Sequence, residues 1–136
     1  VVDMARDNAK QQGITPDIFS AKDIYELSAP EDQAQLVICC EVLEHLEHPE
    51  KAMQVLQEIA NPHVILSVPR EPIWSLMNLV RGKYWQDLGN TPGHINRWSK
   101  NAFINMVSRY FTIEHVHTPL PWTMVWAKSK KNTELA

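Results

Sequence analysis

Two short apolar segments joined by an amphipathic one constrain the fold of this chain more than any other feature. Residues 36–40 (LVICC) are apolar on both faces, which is typical of a parallel strand covered by helices above and below. Over residues 49–60, apolar side chains recur at three- and four-residue spacing, which predicts an amphipathic helix with Pro49 in its first turn. Residues 63–68 (HVILSV) predict a second buried strand. Strand, helix and strand in this order indicate a right-handed βαβ unit and an α/β fold.

The flanking segments extend this sheet. Helix-forming residues followed by Gly13 predict a helix that ends at a glycine and begins upstream of this numbering. Residues 16–20 predict a short strand, and residues 69–98 an irregular loop of the kind that is usually functional. Within that loop, Ile73, Met77 and Val80 would line one face of a short helix. Ser99 is expected to cap a helix over residues 100–110, and residues 111–117 and 123–128 to form an antiparallel hairpin at the sheet edge.

Composition excludes several classes of protein. Apolar residues make up 44% and charged residues 21% of the 136 positions, which is ordinary usage for a single globular domain and argues against a disordered chain. No apolar run approaches the roughly 20 residues of a membrane span. The net charge of −3, without a basic cluster before the tail, argues against duplex nucleic acid as a partner. The adjacent cysteines, Cys39 and Cys40, favour a reducing, cytoplasmic setting.

A dense group of polar side chains directly follows the first apolar strand. Three carboxylates and two imidazoles occur in residues 41–48 (EVLEHLEH). In a helical turn, Glu41 and Glu44 would share a face, and so would Glu41 and His45. Because ligands of open α/β sheets bind beyond the carboxyl ends of the strands, this is where a binding site is expected. The group could coordinate a divalent ion, supply general acid and base groups, or form a solvated loop that caps the next helix.

The same segment resembles a motif of a known family. Residues 41–46 (EVLEHL), directly after an apolar strand, are similar to the motif that follows the fourth strand of Rossmann-like S-adenosylmethionine-dependent methyltransferases of the type 11 small-molecule group. Residues 67–69 (SVP) and 92–99 (PGHINRWS) resemble the end of the fifth strand and the entry to the fifth helix of that family. The resemblance implies a methyltransferase with a small-molecule acceptor and S-adenosylmethionine as cofactor. It also implies cofactor contacts at four positions: Asp23, Ile24, Cys40 and Glu41.

The chain also departs from the family pattern. Its four glycines form no G-x-G pattern, so the glycine-rich loop after the family's first strand has no counterpart. The resemblance therefore implies that residues 1–127 are the C-terminal portion of a methyltransferase domain, truncated at the N-terminus, and that residues 128–136 are a polar tail. We expect such a chain to bind the cofactor weakly on its own and to self-associate through an unpaired strand edge. The alternative is a non-catalytic remnant that acts as an interaction or dimerisation module.

A narrower resemblance concerns a metal ion. In O-methyltransferases of ubiquinone biosynthesis and in terminal 2′-O-methyltransferases of small RNAs, a similar Glu-x-x-Glu-His set is associated with a magnesium-type ion. The RNA enzymes add a His shortly before the fifth helix. The positions here that resemble this set are Glu41, Glu44, His45 and His94. The alternatives are a general base, for which His45 and His94 are the candidates, and a purely structural loop.

Other residues are weaker candidates. We expect Cys39 and Cys40 to pack inside the sheet, and His115 and His117 to share a face of an edge strand without a third ligand. The tryptophans at positions 74, 85 and 98 are expected to close a lid over an apolar or aromatic acceptor, and the alternative is that they pack in the core.

Overall fold

Strand, helix and strand follow one another as predicted in the computed structural model of the protein, which describes residues 2–89 and 91–130. Strand β1 is followed by helix α2, which begins at Pro49, and by strand β2. Residues Leu43–His45 form a single 3₁₀ turn between β1 and α2. The helices are α1 (Val2–Gln11), α2 (Pro49–Ile59), α3 (Ile73–Val80) and α4 (Lys100–Tyr110), and the strands are β1 (Ala34–Cys40), β2 (Ala60–Pro69), β3 (Phe111–His117) and β4 (Trp122–Ser129).

The four strands form one mixed sheet in the order β1-β2-β4-β3. β1 and β2 are parallel, with Val37 opposite Val64 and Cys40 opposite Ser67. β4 runs antiparallel to both β2 and β3, which confirms the hairpin predicted at the sheet edge. The carboxyl ends of β1 and β2 therefore meet at one edge, and the segments that follow them are brought together there.

The core lies between this sheet and the two longer helices. Met53 and Leu56 of α2 and Phe103 of α4 are buried with the alternating apolar residues of β2 and β4. β1 is different, because Cys39 is its buried residue whereas Leu36 and Ile38 are 40% and 64% exposed. The prediction that β1 is covered on both faces is therefore wrong for this chain, since one side of the strand has no covering element among the described residues.

The N-terminal segment contains the other misassigned element. α1 ends at Gln11, and Gly13, the glycine predicted to follow the helix, has a φ of +71°. Residues Pro16–Ile18 form a 3₁₀ turn rather than the predicted strand, because the Phe19 N–H donates to the Pro16 carbonyl 3.2 Å away instead of to a neighbouring strand. An apolar run becomes a strand only where a partner strand accepts its hydrogen bonds.

The second half follows the prediction with two adjustments. The Ala102 N–H donates to the Ser99 hydroxyl at 3.3 Å, as expected for a capped α4. In α3, Met77 and Val80 are exposed and the buried residues are Ser75 and Asn78, so the predicted apolar face does not pack against the core. β4 continues through Ser129, into the segment 128–136 that was expected to be a tail, and residues 131–136 lie outside the described residues. Within the described part of the chain, no helix is long and apolar enough to cross a membrane.

Candidate functional site

The candidate site is built by two segments that hydrogen bond to each other through their main chains. The Leu43–His45 turn follows β1, and residues 91–98 lead into α4. The N–H groups of Ile95 and Asn96 both donate to the Glu44 carbonyl, at 2.8 and 3.0 Å. The Asn96 side-chain amide donates to the carbonyls of Leu43 and Leu46, at 3.2 and 2.5 Å. These bonds hold the second segment against the turn and bring His94 next to His45.

The two histidines form an edge-to-face pair. Their ring centroids are 4.9 Å apart, with an angle of 76° between the ring planes. His45 Nδ1 lies 2.9 Å from the Gly93 carbonyl, to which it donates, so the lone pair of this imidazole is on Nε2. On its other side, His94 stacks on Trp74, with a centroid separation of 5.9 Å.

Glu44 is the most unusual residue of the site. Its side chain is 1% exposed, and neither carboxylate oxygen has a hydrogen-bond partner among the described residues. Burial raises the pKa of Glu44 to about 7, and the neighbouring Glu41 carboxylate adds to the rise. Burial lowers the pKa of His94, and the adjacent His45 lowers it further. A buried carboxylate without a partner costs free energy, which a protein retains most often where a ligand or a proton completes the site.

Three of the four predicted metal ligands come together. Glu44, His45 and His94 each offer one ligand atom, and these atoms all lie within 4.8 Å of one another. Glu41 does not join them, because its carboxylate accepts from Ser67 Oγ at 2.7 Å and from Trp122 Nε1 at 2.9 Å.

The Glu41 backbone is also unusual, since its φ of 56° lies in the left-handed region. A residue other than glycine holds this conformation only where its surroundings enforce it. Here the Glu41 N–H donates to the Ser67 carbonyl at 3.1 Å, in addition to the two bonds of the side chain. Glu41 therefore ties the end of β1 to β2 and β4. Trp122 was not singled out from the sequence, and no spacing pattern relates it to Glu41.

The remaining candidate cofactor residues are Asp23, Ile24 and Cys40. Asp23 caps the Ile24–Glu26 turn by accepting from the Tyr25 N–H at 3.0 Å. Ile24 lines an apolar groove of about 200 Å³ together with side chains of β1 and α2. Cys40, the last residue of β1, is partly exposed. Of these three residues Ile24 lines the groove, while Asp23 precedes it in the chain and Cys40 ends β1.

The weaker candidates separate into different environments. Of the three tryptophans predicted to form a lid, Trp74 contacts the site, Trp85 is 66% exposed and Trp98 packs on Phe103 in the core. The rings of His115 and His117 are 6.4 Å apart on β3. Both cysteines are free, and burial raises the pKa of the Cys39 thiol to about 12. Cys39 is thus a packing residue, as expected.

Solved structures and family models agree on the class of this fold. Magnesium protoporphyrin IX methyltransferase (ChlM) from Synechocystis PCC 6803, with bound SAH, superposes with a TM-score of 0.59 at 20% identity, over 82% of this chain and 51% of that one. The PH0226 protein from Pyrococcus horikoshii OT3 gives a TM-score of 0.67 at 15% identity, over 95% of this chain and 66% of that one. A structure from echinomycin biosynthesis gives 0.71 at 13% identity, over 98% and 64%.

These likenesses below 25% identity establish the fold, and the chain spans between about half and two-thirds of the length of these three structures. No curated protein sequence matches the chain. The family model described as a methyltransferase domain matches residues 2–119. Because this match covers most of the sequence, the chain belongs to the methyltransferase domain family.

Proposed function

We propose that this chain is the acceptor-side part of an S-adenosylmethionine-dependent methyltransferase that acts on a small molecule. The observation that carries the proposal is the buried carboxylate of Glu44, which has no hydrogen-bond partner in the part of the chain that the structure describes, beside His45 and His94 at the carboxyl end of β1. Membership of the methyltransferase domain family and the SAH bound to the similar ChlM structure support this choice of cofactor. The free thiols of Cys39 and Cys40 are consistent with a reducing, cytoplasmic location.

The cofactor would lie along the open side of β1. Asp23 and Ile24 would border its adenine, and the main chain at Cys40 and Glu41 would face its methionine end. When bound, S-adenosylmethionine supplies a methyl group that is already activated as part of a sulfonium, so the protein contributes mainly by positioning. Since the chain contains no G-x-G pattern, we propose that residues outside these 136 complete the cofactor site.

One of the two histidines would accept a proton from the acceptor. Because burial lowers the pKa of His94, its imidazole is neutral at pH 7 and able to accept a proton. His45 presents Nε2, since its Nδ1 is bonded to the Gly93 carbonyl. Loss of a proton from an acceptor hydroxyl or amine increases its nucleophilicity toward the methyl group.

A divalent ion is the alternative use of the same groups. One carboxylate oxygen and two imidazole nitrogens within 4.8 Å fit such an ion, and the orphaned oxygens of Glu44 would gain a partner. His45 donating its second ring nitrogen to a carbonyl is the usual arrangement for a histidine ligand. This mixed donor set suits Mn²⁺ or Zn²⁺ better than Mg²⁺, which prefers oxygen ligands. The ion would orient and polarise the acceptor.

Methyl transfer from labelled S-adenosylmethionine by the complete protein that contains this domain tests the proposal. We expect Glu44→Gln and His94→Gln to lose activity at least tenfold, while His115→Gln, a histidine remote from the site on β3, retains it.

If an ion is used, chelation abolishes turnover and Mn²⁺ restores it in the wild type but not in Glu44→Gln. If His94 is the base, activity survives chelation and falls with acidification. Full activity in both site variants contradicts the proposal.

A non-catalytic interaction module is the second candidate. The exposed Leu36 and Ile38 on the edge strand β1 favour it, because an open strand edge with apolar side chains invites pairing with another chain. Calorimetry with S-adenosylhomocysteine separates the two functions. Micromolar binding by the complete protein supports the enzyme, and absence of binding together with stable self-association supports the module.

A further inference from the structure

A second cavity adjoins the candidate site. It has a volume of about 320 Å³, which lies at the lower end of the range for small-molecule sites. One wall is α3 and its C-terminal end, and the other is the start of β4 with the two residues before it. The lining residues are Trp74, Met77, Asn78, Arg81, Leu120, Pro121 and Trp122.

Two fixed indole rings form the sides of this cavity. The rings of Trp74 and Trp122 are 6.1 Å apart between centroids and inclined by 52°. Trp74 Nε1 donates to Thr91 Oγ1 at 2.9 Å, and Trp122 Nε1 donates to Glu41 at 2.9 Å. Because both N–H groups are satisfied within the protein, the rings offer their apolar faces to a ligand. Aromatic side chains arranged in this way favour a planar ring as the guest.

The polar groups of the cavity favour an anion. Arg81, just after α3, is exposed and makes no ion pair or side-chain hydrogen bond with the described residues. Asn78 is buried, and its side-chain N–H groups already donate to Gly89 and Thr91. The guanidinium is therefore the unengaged charge of the lining, and its planar fork matches the geometry of a carboxylate.

The cavity also shares a wall with the histidine pair. Trp74 lines the cavity and also stacks on His94, with a centroid separation of 5.9 Å. A ligand that packs against Trp74 in the cavity is thus next to the group proposed to accept a proton. We propose that this cavity is the acceptor site and that it takes a planar aromatic carboxylic acid, with its ring packed against the two indoles, its carboxylate on Arg81, and the hydroxyl or amine to be methylated toward His94. This inference rests on the proposed function, which it extends to a class of acceptor.

Binding of 2-naphthoate to the 136-residue chain tests the inference without any methyl transfer. In ¹⁵N–¹H spectra, the indole signals of Trp74 and Trp122 are expected to shift on titration. The signal of Trp126, whose Nε1 donates to Glu114 on β3, serves as the internal control and should not move. Trp→Phe variants assign the signals. By calorimetry, the neutral 2-naphthamide should bind roughly fivefold more weakly than the carboxylate, the effect of one solvent-accessible ion pair.

Variants of two neighbouring cations complete the test. Arg81→Gln should weaken naphthoate binding roughly fivefold and remove its preference over the amide, whereas Lys83→Gln, an exposed cation on the same loop, should leave both unchanged. Equal affinity for naphthoate and naphthamide, or shifts confined to the other indoles, overturns the inference. Because the probe needs no cofactor, intact naphthoate binding with inactive methyl transfer would contradict the proposed function alone.

Discussion

Replacing Glu44 by glutamine should change how the stability of the protein depends on pH. The pKa of the Glu44 carboxyl is raised from 4.5 to about 7 by burial in the folded protein. At pH values between these two pKa values, the folded protein holds a proton on Glu44 that the unfolded chain releases. The free energy of unfolding therefore falls as the pH rises through this range. This pKa shift corresponds to about 3 kcal/mol of unfolding free energy, which is present at low pH and is lost once the pH exceeds about 7. Glutamine carries no charge and removes this dependence.

Urea unfolding followed by tryptophan fluorescence between pH 4.5 and 8, with a chelator present, measures the effect. The free energy of unfolding of Glu44→Gln, measured relative to that of the wild type, should rise by about 3 kcal/mol between pH 4.5 and pH 8. The difference between the two proteins is the informative quantity, because glutamine also introduces buried amide groups with a cost that is independent of pH. Glu47→Gln, an exposed carboxylate two residues after His45, controls for the change in net charge. Parallel stability curves for Glu44→Gln and the wild type would refute the reasoning.

Three further changes test the fold around the site. Gly89→Ala places a Cβ 2.1 Å from the Ser75 carbonyl oxygen and should destabilise the protein by about 3 kcal/mol, whereas Gly13→Ala, in open space at a similar φ, should cost about 1 kcal/mol in the same unfolding assay. Asn96→Ala removes both side-chain bonds to the adjacent turn and should cost about 2 kcal/mol and broaden the His94 ring signals in NMR spectra. Ile38→Lys on the open strand edge should shift the particle size in light scattering from dimer toward monomer, and an unchanged size would contradict edge pairing.

The βαβ unit could be predicted from the sequence because its signals are local. Apolar spacing identified α2, and two continuous apolar runs identified β1 and β2, each within a few residues of the observed bounds. Residues 16–20 carry a similar short apolar pattern, yet they form a 3₁₀ turn. The difference lies in the neighbours, because β1 and β2 pair with each other whereas residues 16–20 have no partner strand in the observed sheet. Hydrogen-bond partners distant in sequence are not encoded in local periodicity.

The candidate site likewise contains residues that the sequence could place and contacts that it could not. Glu44 and His45 could be placed at the end of a strand from their position alone, and His94 was placed near them by resemblance. The contacts that hold His94 there are hydrogen bonds from the Ile95 and Asn96 main chains and the Asn96 side chain to residues about 50 positions away, which no spacing reveals. The sequence position of Trp98 is misleading. A tryptophan in an irregular loop favours a lid, yet Trp98 packs on Phe103.

Glu41 and Glu44 show why the letters of a motif do not determine a ligand set. The two residues are three positions apart and identical in chemistry, but the Glu41 carboxylate receives hydrogen bonds from Ser67 and Trp122, 26 and 81 positions away, while the Glu44 carboxylate receives none from the described residues. To bind an ion, Glu41 would have to give up both bonds, each with a net contribution of about 1 kcal/mol and a larger cost if its donor is left buried and unpaired. The Glu44 carboxylate has no such bond to a described residue to give up. An ion or a proton is therefore expected on Glu44 first, and the motif acts through one of its two carboxylates.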